Sequence, residues 1–368
     1  MKTRDEIQDE CFKEIVNHHR CSAALSMGTG KTLLGLKHMK HFHKEKDKYL
    51  VVAPKRAIFE SWVDDARKFG LEELIQHIDF TTYLSLVKQD FTLYSGIYLD
   101  ECHSLKENMT NWLSNYKGRI LGLTGTPPRL NYSEKGRMME MFCPVVFRYK
   151  TDDAVSDKIL NDYRIVVHPI HLGTENQLHI KTKSGKQWST SEKGNYDYWS
   201  NRIDSAFRHN EVSLLRIQRM RSMMTYYSKE VYAKKLFDTI QDKCILFVNT
   251  QEQADKLCTH SYHSNNPDSE QNLEDFKNGK INKLASVLQL NEGVNIPNLK
   301  SCIILHSYSS NTKTAQRLGR ILRLNPEETA TVHILVYHET IDVVWVKEAL
   351  KDFDPFKITW QEPQRVHK

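Results

Sequence analysis

A glycine-rich stretch near the N-terminus has the residue types needed to hold phosphate. GTGKT (28–32) lies between a short apolar segment and leucines at helical spacing in Leu33–Met39. Glycines let backbone N–H groups approach phosphate oxygens, a helix N-terminus and a lysine supply positive charge, and a threonine hydroxyl can ligate Mg²⁺. The full pattern GxxxxGK[ST] has glycine where this chain has Leu25. A glycine turn that only caps an ordinary helix is therefore the alternative interpretation.

Two adjacent carboxylates form a second candidate. Asp100 and Glu101 directly follow the apolar run Ile97–Leu99. A strand there would deliver both acids to the carboxyl edge of a parallel sheet, where ligands bind in open α/β folds. Asp100 could hold Mg²⁺ while Glu101 orients an attacking water. Because the acids follow the glycine-rich stretch with strands in between, the two signals together predict nucleotide hydrolysis.

A third cluster, near the C-terminus, is basic. Gln316, Arg320 and Arg323 are spaced i, i+4 and i+7, so a helix would present them on one face. Guanidinium groups directed at a γ-phosphate stabilise the charge of the transition state. Their position far along the chain predicts that they come from a second domain.

The elements needed to position these residues recur in two sets. Apolar strand-like runs occur at Tyr49–Ala53, Ile97–Leu99 and Ile120–Leu123, and again at four later positions: Cys244–Val248, Leu284–Leu288, Ser301–Leu305 and Thr331–Val336. Such runs between helical patterns are typical of buried parallel strands. We therefore predict an α/β fold with two parallel-sheet domains, residues 1–150 and 236–368. Residues 151–235 are predicted to be a linker or insertion that carries a basic hairpin (179–190) and a helix.

The motifs, taken in order, resemble those of superfamily 2 helicases and translocases, the DEAD/DEAH-type enzymes. The segments that carry the resemblance are RDEIQ (4–8), VVAPKRAIFESW (51–62), TTYLSL (81–86), DECH (100–103), LTGTPPR (123–129), ILFVNTQEQADKL (245–257), SVLQLNEGVNIP (286–297) and QRLGRILR (316–323). The resemblance covers nearly the whole chain outside 150–235. Within the superfamily, the chain looks closest to Swi/Snf-like and phage or viral branch-migrating members. The resemblance implies two tandem RecA-like domains with an ATP cleft between them.

The resemblance also implies roles for individual residues. The catalytic set is Lys31, Thr32, Asp100, Glu101, Gln316, Arg320 and Arg323, and Thr32 and Asp100 are expected to bind Mg²⁺. ATP is expected to contact Arg4, Gln8, Met27, Gly28, Thr29, Gly30, Lys31, Thr32, Gly293 and Asn295. Asn295 occupies a position where the family usually has aspartate. Its amide oxygen would accept a hydrogen bond from a ribose hydroxyl, but it would not supply the negative charge of a carboxylate. His103 would couple the site to the second domain.

Nucleic acid is the expected partner, bound mainly through its phosphate backbone. The contact residues implied by the resemblance are Pro54, Lys55, Thr82, Arg129, Thr250 and Gln289. Aromatic residues Trp62, Tyr83 and Trp112 could stack on bases, although core packing is the more ordinary role for such side chains. Four basic residues of the insertion are equally consistent with phosphate contacts and with a solvated surface: Lys181, Lys183, Lys186 and Arg202.

Composition is compatible with this partner. A net charge of +6 suits contact with a polyanion but does not require it. The seven cysteines show neither a CxxC pair nor zinc spacing, so structural zinc and a disulfide framework are not expected. The apolar runs are shorter than a membrane span and the N-terminus is charged, which predicts a cytoplasmic protein. Because the sequence lacks the long accessory domains that many members of the family carry, we expect a bacterial or phage-infected host.

These observations predict an ATP- and Mg²⁺-dependent helicase or translocase. We expect a monomer that remodels branched or partly single-stranded DNA in replication or recombination, with replication or recombination proteins as further partners. An RNA helicase and a non-translocating, nucleotide-gated clamp remain as alternatives. A P-loop metabolite kinase does not explain the paired arginines in a second domain.

Overall fold

The computed structural model describes residues 1–26, 28–128, 132–160, 162–181, 185, 187–287, 296–307, 329–351 and 353–366. Within this part of the chain, Met1–Asp162 forms one compact unit and the residues from Tyr163 onward form a second. Both units are α/β, as predicted. None of the described helices combines the length and apolar character that a membrane crossing requires.

The first unit is built on a six-stranded sheet. Its strands are β1 (Arg20–Leu25), β2 (Tyr49–Ala53), β3 (Ile78–Thr82), β4 (Gly96–Asp100), β5 (Arg119–Thr124) and β6 (Val145–Tyr149). Their order is β3-β2-β4-β5-β1-β6, and every neighbouring pair is parallel. All carboxyl ends therefore lie along one edge, the edge at which ligands bind in such sheets.

Helices cover both faces of this sheet. They are α1 (Arg4–Ile15), α2 (Lys31–Phe42), α3 (Ala57–Lys68), α4 (Thr110–Asn115), α5 (Glu134–Phe142) and α6 (Thr151–Ser156), with 3-10 turns at Glu72–His77, Tyr83–Lys88, Phe91–Leu93, Cys102–Ser104 and Glu107–Met109. Alternate residues of β4 enter opposite cores: Tyr98 packs on the α2 and α3 side, whereas Ile97 and Leu99 pack on the other. The strand is buried throughout because both faces are covered.

The second unit contains a seven-stranded sheet and a separate hairpin. Its strands are β7 (Asp162–Ile170), β8 (Leu178–Lys181), β9 (Gln187–Thr190), β10 (Cys244–Val248), β11 (Ser261–Tyr262), β12 (Lys283–Val287), β13 (Ser301–Ile304), β14 (Thr329–Tyr337) and β15 (Ile358–Trp360). The sheet order is β11-β12-β10-β13-β14-β7-β15. Strands β8 and β9 pair antiparallel, which confirms the predicted hairpin.

Six helices and a 3-10 turn complete the described part of the second unit. The helices are α7 (Glu192–Asp204), α8 (His209–Met223), α9 (Tyr227–Thr239), α10 (Gln251–Leu257), α11 (Ser269–Lys277) and α12 (Ile341–Leu350), and the 3-10 turn is Pro355–Lys357. The predicted 151–235 segment contributes to both units. Its start, including Ala154 and Leu160, packs into the core of the first unit, and β7 lies within the sheet of the second.

A buried histidine makes the stability of the first unit depend on pH. His38 on α2 is 2% exposed, its Nδ1 lies 3.1 Å from the Tyr98 hydroxyl, and burial lowers its pKa to about 3, helped by the charges of Arg119 and His41. The unfolded chain therefore takes up a proton at this position first as the pH falls below about 6.5. We expect His38 to make unfolding easier by about 2 kcal/mol at pH 5 relative to pH 8.

Thermal unfolding at the two pH values, compared between the wild type and His38→Gln, tests this prediction. The glutamine stays neutral at both values and keeps a polar group near Tyr98. The variant should lose less stability on acidification than the wild type. Equal losses would show that His38 does not bind a proton on unfolding.

Candidate active site

The glycine-rich stretch forms a loop between β1 and α2. Gly28 and Gly30 have φ of 82° and 83°, in the left-handed region that favours glycine. Helix α2 begins at Lys31, so the N–H groups of its first turn lie at this loop. The buried Thr29 hydroxyl donates to the Ser26 carbonyl at 2.8 Å and holds the loop closed. This is the arrangement expected of a phosphate-binding loop.

Leu25, the departure from the full pattern, has a packing role. It is the last residue of β1, is 1% exposed and belongs to the core beneath α2. A large apolar side chain is accommodated because this position lies inside the sheet and not in the loop.

The structure brings Gln8 to this loop. Its Nε2 donates to the Thr29 carbonyl at 2.9 Å, and its Oε1 accepts from Lys37 Nζ at 3.1 Å. A Cβ at Gly30 would lie 2.3 Å from the same amide nitrogen, so glycine is required there for two reasons. Arg4 is directed elsewhere in the same unit, toward the Ile159 carbonyl at 3.5 Å. The expected contact of both residues with adenine stays a prediction.

The two acids follow β4 as predicted. Asp100 is the last residue of the strand, and Glu101 has φ of 52°, a left-handed conformation that is uncommon for a residue with a side chain. Glu101 Oε2 accepts from the Thr124 hydroxyl at 3.2 Å and lies 3.3 Å from His103 Nδ1. His103 Nδ1 also lies 2.9 Å from that hydroxyl. Glu101, His103 and Thr124 thus form one network at the ends of β4 and β5.

The pKa values of the two acids are shifted in opposite directions. Burial raises the pKa of Asp100, the neighbouring Glu101 raises it further, and a hydrogen bond from Trp62 and the charge of Lys31 only partly oppose this. Burial also acts to raise the pKa of Glu101, but His103, Lys31 and Thr124 outweigh it and lower that pKa. Glu101 is therefore ionised at neutral pH, as a residue that accepts a proton from water must be.

Lys31 connects the loop to the acids, because its charge lowers the pKa of both carboxyls. Thr32 lies near Asp65 on α3 and lowers its pKa, although burial keeps that pKa raised. The site therefore gathers a cation, a hydroxyl, a helix N-terminus and two carboxylates at one sheet edge. This donor set fits ATP with Mg²⁺, in which Thr32 and Asp100 would hold the ion and Lys31 and the loop the phosphates.

Other predicted residues lie at the same edge of the first sheet. Pro54 and the exposed Lys55 follow β2, and Thr82 ends β3. In the second unit, Thr250 caps the N-terminus of α10, and its side chain accepts from the Gln253 N–H. Eight predicted site residues lie outside the described residues: Met27, Arg129, Gln289, Gly293, Asn295, Gln316, Arg320 and Arg323. Their roles stay predictions.

The aromatic candidates for base stacking are core residues. Trp62, Tyr83 and Trp112 are only 1%, 5% and 7% exposed. Their faces are therefore covered, and the structure favours the core interpretation. Two of them nevertheless contact the site: Trp62 Nε1 donates to Asp100 Oδ2 at 2.9 Å, and the Tyr83 hydroxyl donates to the Asp100 carbonyl at 2.9 Å. Sequence reasoning missed these contacts.

Comparison with known proteins agrees with the site. Residues 2–129 match the family described as "Type III restriction enzyme, res subunit", and residues 228–325 match "Helicase conserved C-terminal domain". The chain is similar to the DNA 3'-5' translocase XPB2 of Sulfurisphaera tokodaii, at 23% identity over 91% of this chain and 82% of that protein.

Two solved structures share the fold. The ATP-dependent Type ISP restriction-modification enzyme LlaBIII, bound to DNA, matches with a TM-score of 0.64 at 15% identity over 98% of this chain and 31% of its own. The Pyrococcus furiosus Hef helicase domain matches with a TM-score of 0.51 at 14% identity over 94% of this chain and 97% of its own.

Fold and site together define a P-loop ATPase with two parallel-sheet α/β units. The chain belongs to the superfamily 2 helicases and translocases, and it is an ATP-dependent enzyme of that class.

Proposed function

We propose that this protein is a DNA translocase or helicase that hydrolyses ATP with Mg²⁺ and remodels branched or partly single-stranded DNA. The observation that carries the proposal is the meeting of the phosphate loop, Lys31 and the carboxylates of Asp100 and Glu101 at one sheet edge. The preference for DNA is supported by the XPB2 translocase, which resembles the chain over most of its length.

The residues at this edge divide the chemistry between them. Lys31 and the first-turn N–H groups of α2 bind phosphate oxygens, and Asp100 and Thr32 hold Mg²⁺, which when bound supplies positive charge against the phosphates. Glu101 accepts hydrogen from the attacking water. His103 and Thr124 orient the Glu101 carboxylate. Because Thr124 ends β5, a movement of that carboxylate is passed to the loop after β5. Arg320 and Arg323 supply the positive charge that stabilises the transition state.

Nucleic acid lies against the loops that follow the strands. In the first unit these loops carry Pro54, Lys55 and Thr82, and the equivalent contacts of the second unit include Thr250 and Gln289. Backbone contacts of this kind hold any sequence equally. We therefore expect structure-dependent and not sequence-dependent binding.

The hairpin and helices of 178–226 add a basic surface. This segment has nine Lys and Arg against four Asp and Glu. Trp188, Tyr198 and Arg202 are exposed, and the Arg202 guanidinium lies 5.9 Å and 5.8 Å from the ring centroids of Tyr198 and Trp199. A basic surface with exposed aromatic residues suits a single strand, because phosphates and bases are then contacted together. We propose that the protein acts as a monomer in the cytoplasm, with replication or recombination proteins as partners.

ATP turnover with matched nucleic acids tests the proposal. We expect strong stimulation by single-stranded or forked DNA and weaker stimulation by RNA of the same sequence. Displacement of a labelled strand, measured on the same DNA, reports movement. Stimulation by RNA alone would favour an RNA helicase, and turnover without displacement on forked, gapped or hybrid substrates would favour a nucleotide-gated clamp.

A further inference from the structure

Asp100 is held by two buried aromatic donors. The indole N–H of Trp62 bonds its carboxylate, and the hydroxyl of Tyr83 bonds its backbone carbonyl, each at 2.9 Å. Trp62 is 1% exposed and Tyr83 is 5% exposed, so water does not compete for either bond. The two contacts fix both the end of β4 and the direction of the side chain that would hold Mg²⁺. Hydrogen bonds of this kind behind a metal ligand orient it and tune its affinity.

Both donors belong to segments that begin at expected nucleic-acid contacts. Trp62 lies on α3, which starts three residues after Pro54 at the end of β2. Tyr83 immediately follows Thr82, the last residue of β3. Each of these loops is thus joined, through a rigid element and one hydrogen bond, to the same aspartate.

Packing makes the Trp62 connection stiff. Gly35 lies in the middle of α2, and a Cβ there would come within 2.6 Å of the Trp62 ring. Glycine within a helix is unfavourable in itself, so its presence here is explained by the close approach of the indole. Three residues beyond Trp62, Asp65 lies close enough to Thr32 for that side chain to lower its pKa. Helix α3 therefore contacts Asp100 directly through Trp62 and places Asp65 near Thr32, the other residue expected to hold Mg²⁺.

We infer that Trp62 and Tyr83 are positioning residues that couple nucleic-acid contact at Pro54–Lys55 and Thr82 to the placement of Asp100. A strand bound at these loops shifts α3 and the start of the 83–88 turn, and the two hydrogen bonds transmit that shift to the metal ligand. This inference rests on the proposed function, because it requires that nucleic acid stimulates hydrolysis.

The test removes each donor and keeps an aromatic ring at each position. Trp62→Phe and Tyr83→Phe should each lower the ratio of nucleic-acid-stimulated to basal kcat by about 10-fold, the lower end of the effects seen for such supporting contacts. KM for ATP at saturating Mg²⁺ should change much less. If both bonds act on one aspartate, the fold-loss of this ratio in the double variant should be smaller than the product of the fold-losses in the two single variants.

A binding readout separates positioning from turnover. The affinity of a fluorescent ADP analogue, followed by anisotropy, should be unchanged without Mg²⁺ in Trp62→Phe. The Mg²⁺ concentration that half-maximally tightens its binding should rise several-fold, on the order of the 10-fold loss above. A purely structural loss would instead weaken nucleotide binding with and without the ion.

Matched controls exist in the same unit. Trp112 Nε1 donates to the Gln89 carbonyl at 2.8 Å, and the Tyr94 hydroxyl donates to Asp79 at 3.0 Å, both away from Asp100. Trp112→Phe and Tyr94→Phe should leave the stimulation ratio and the Mg²⁺ dependence near wild type. Test and control variants that behave alike would overturn the inference. If no nucleic acid stimulates ATP hydrolysis by the wild type, the proposed function itself is overturned. If nucleic acid stimulates Trp62→Phe and Tyr83→Phe as strongly as it stimulates the wild type, only the coupling is rejected.

Discussion

Replacing Glu101 with glutamine is expected to lower kcat for ATP hydrolysis by about 10²- to 10⁴-fold and to leave ATP affinity near wild type. Burial alone would raise the pKa of Glu101, but His103, Lys31 and Thr124 lower it and keep the side chain ionised as a proton acceptor. The amide cannot accept that proton. It has the same size and can still accept the hydrogen bond from Thr124, so the fold and the phosphate loop should be undisturbed.

Single-turnover hydrolysis and equilibrium binding of a fluorescent ATP analogue check this prediction together. Glu107→Gln is a suitable control, because Glu107 is exposed, lies in the same segment and pairs with Arg137 at the surface. It should hydrolyse ATP normally. Normal hydrolysis by Glu101→Gln would mean that another group accepts the proton and that the assignment of Glu101 is wrong.

The elements that carry the site follow closely from local sequence. The run YLVVA forms β2 with the predicted bounds, and the run before the acids forms Gly96–Asp100, one residue longer at each end than predicted. Buried parallel strands are apolar on both faces, so their signal is strong and local. The phosphate loop was equally predictable, because left-handed glycines followed by a helix start allow few alternatives.

The support of Asp100 could not be predicted in this way. Trp62 and Tyr83 reach it only because β2 lies beside β4 in the sheet order, with β3 on the outside. Strand order depends on long-range pairing that no spacing in the sequence records. An aromatic residue after a strand is also compatible with either burial or base stacking. The choice between the two therefore required the packed structure.

Strand β7 is a second case in which local signals were insufficient. Its sequence DYRIVVHPI contains Pro169, which normally argues against a strand with neighbours on both sides. Strand β15 pairs with Ile165–Val167, and beyond it the Gln364 N–H donates to the Pro169 carbonyl while the His171 N–H donates to the Gln364 carbonyl. The bonds on this side of β7 therefore continue past the proline without needing a donor from it. The apolar run before the proline lies in the segment predicted to be a linker or insertion, although it forms part of the second sheet.

The arginines of QRLGRILR are the strongest test of the hydrolysis mechanism. Among the described residues of the first unit, Lys31 already acts on both carboxyls, because its charge lowers the pKa of each. Charge that appears on the γ-phosphate during bond cleavage requires a donor that is not already engaged in binding the ground state. A guanidinium meets this requirement because it stays charged and donates in a planar fork.

Replacing Arg323 with alanine is therefore expected to slow ATP hydrolysis by about 10³- to 10⁵-fold, the range of arginine fingers in other phosphoryl-transfer enzymes. Nucleic-acid affinity, measured by anisotropy, should stay near wild type, because the guanidinium is proposed to act on the nucleotide. Arg320→Ala should behave in the same way, and Arg323→Lys should recover little activity since lysine cannot donate in a fork. Arg164→Ala, at an exposed arginine of β7, serves as the control for loss of one positive charge. Equal losses of hydrolysis and nucleic-acid binding in Arg323→Ala would assign that residue a structural role and remove the arginine-finger mechanism.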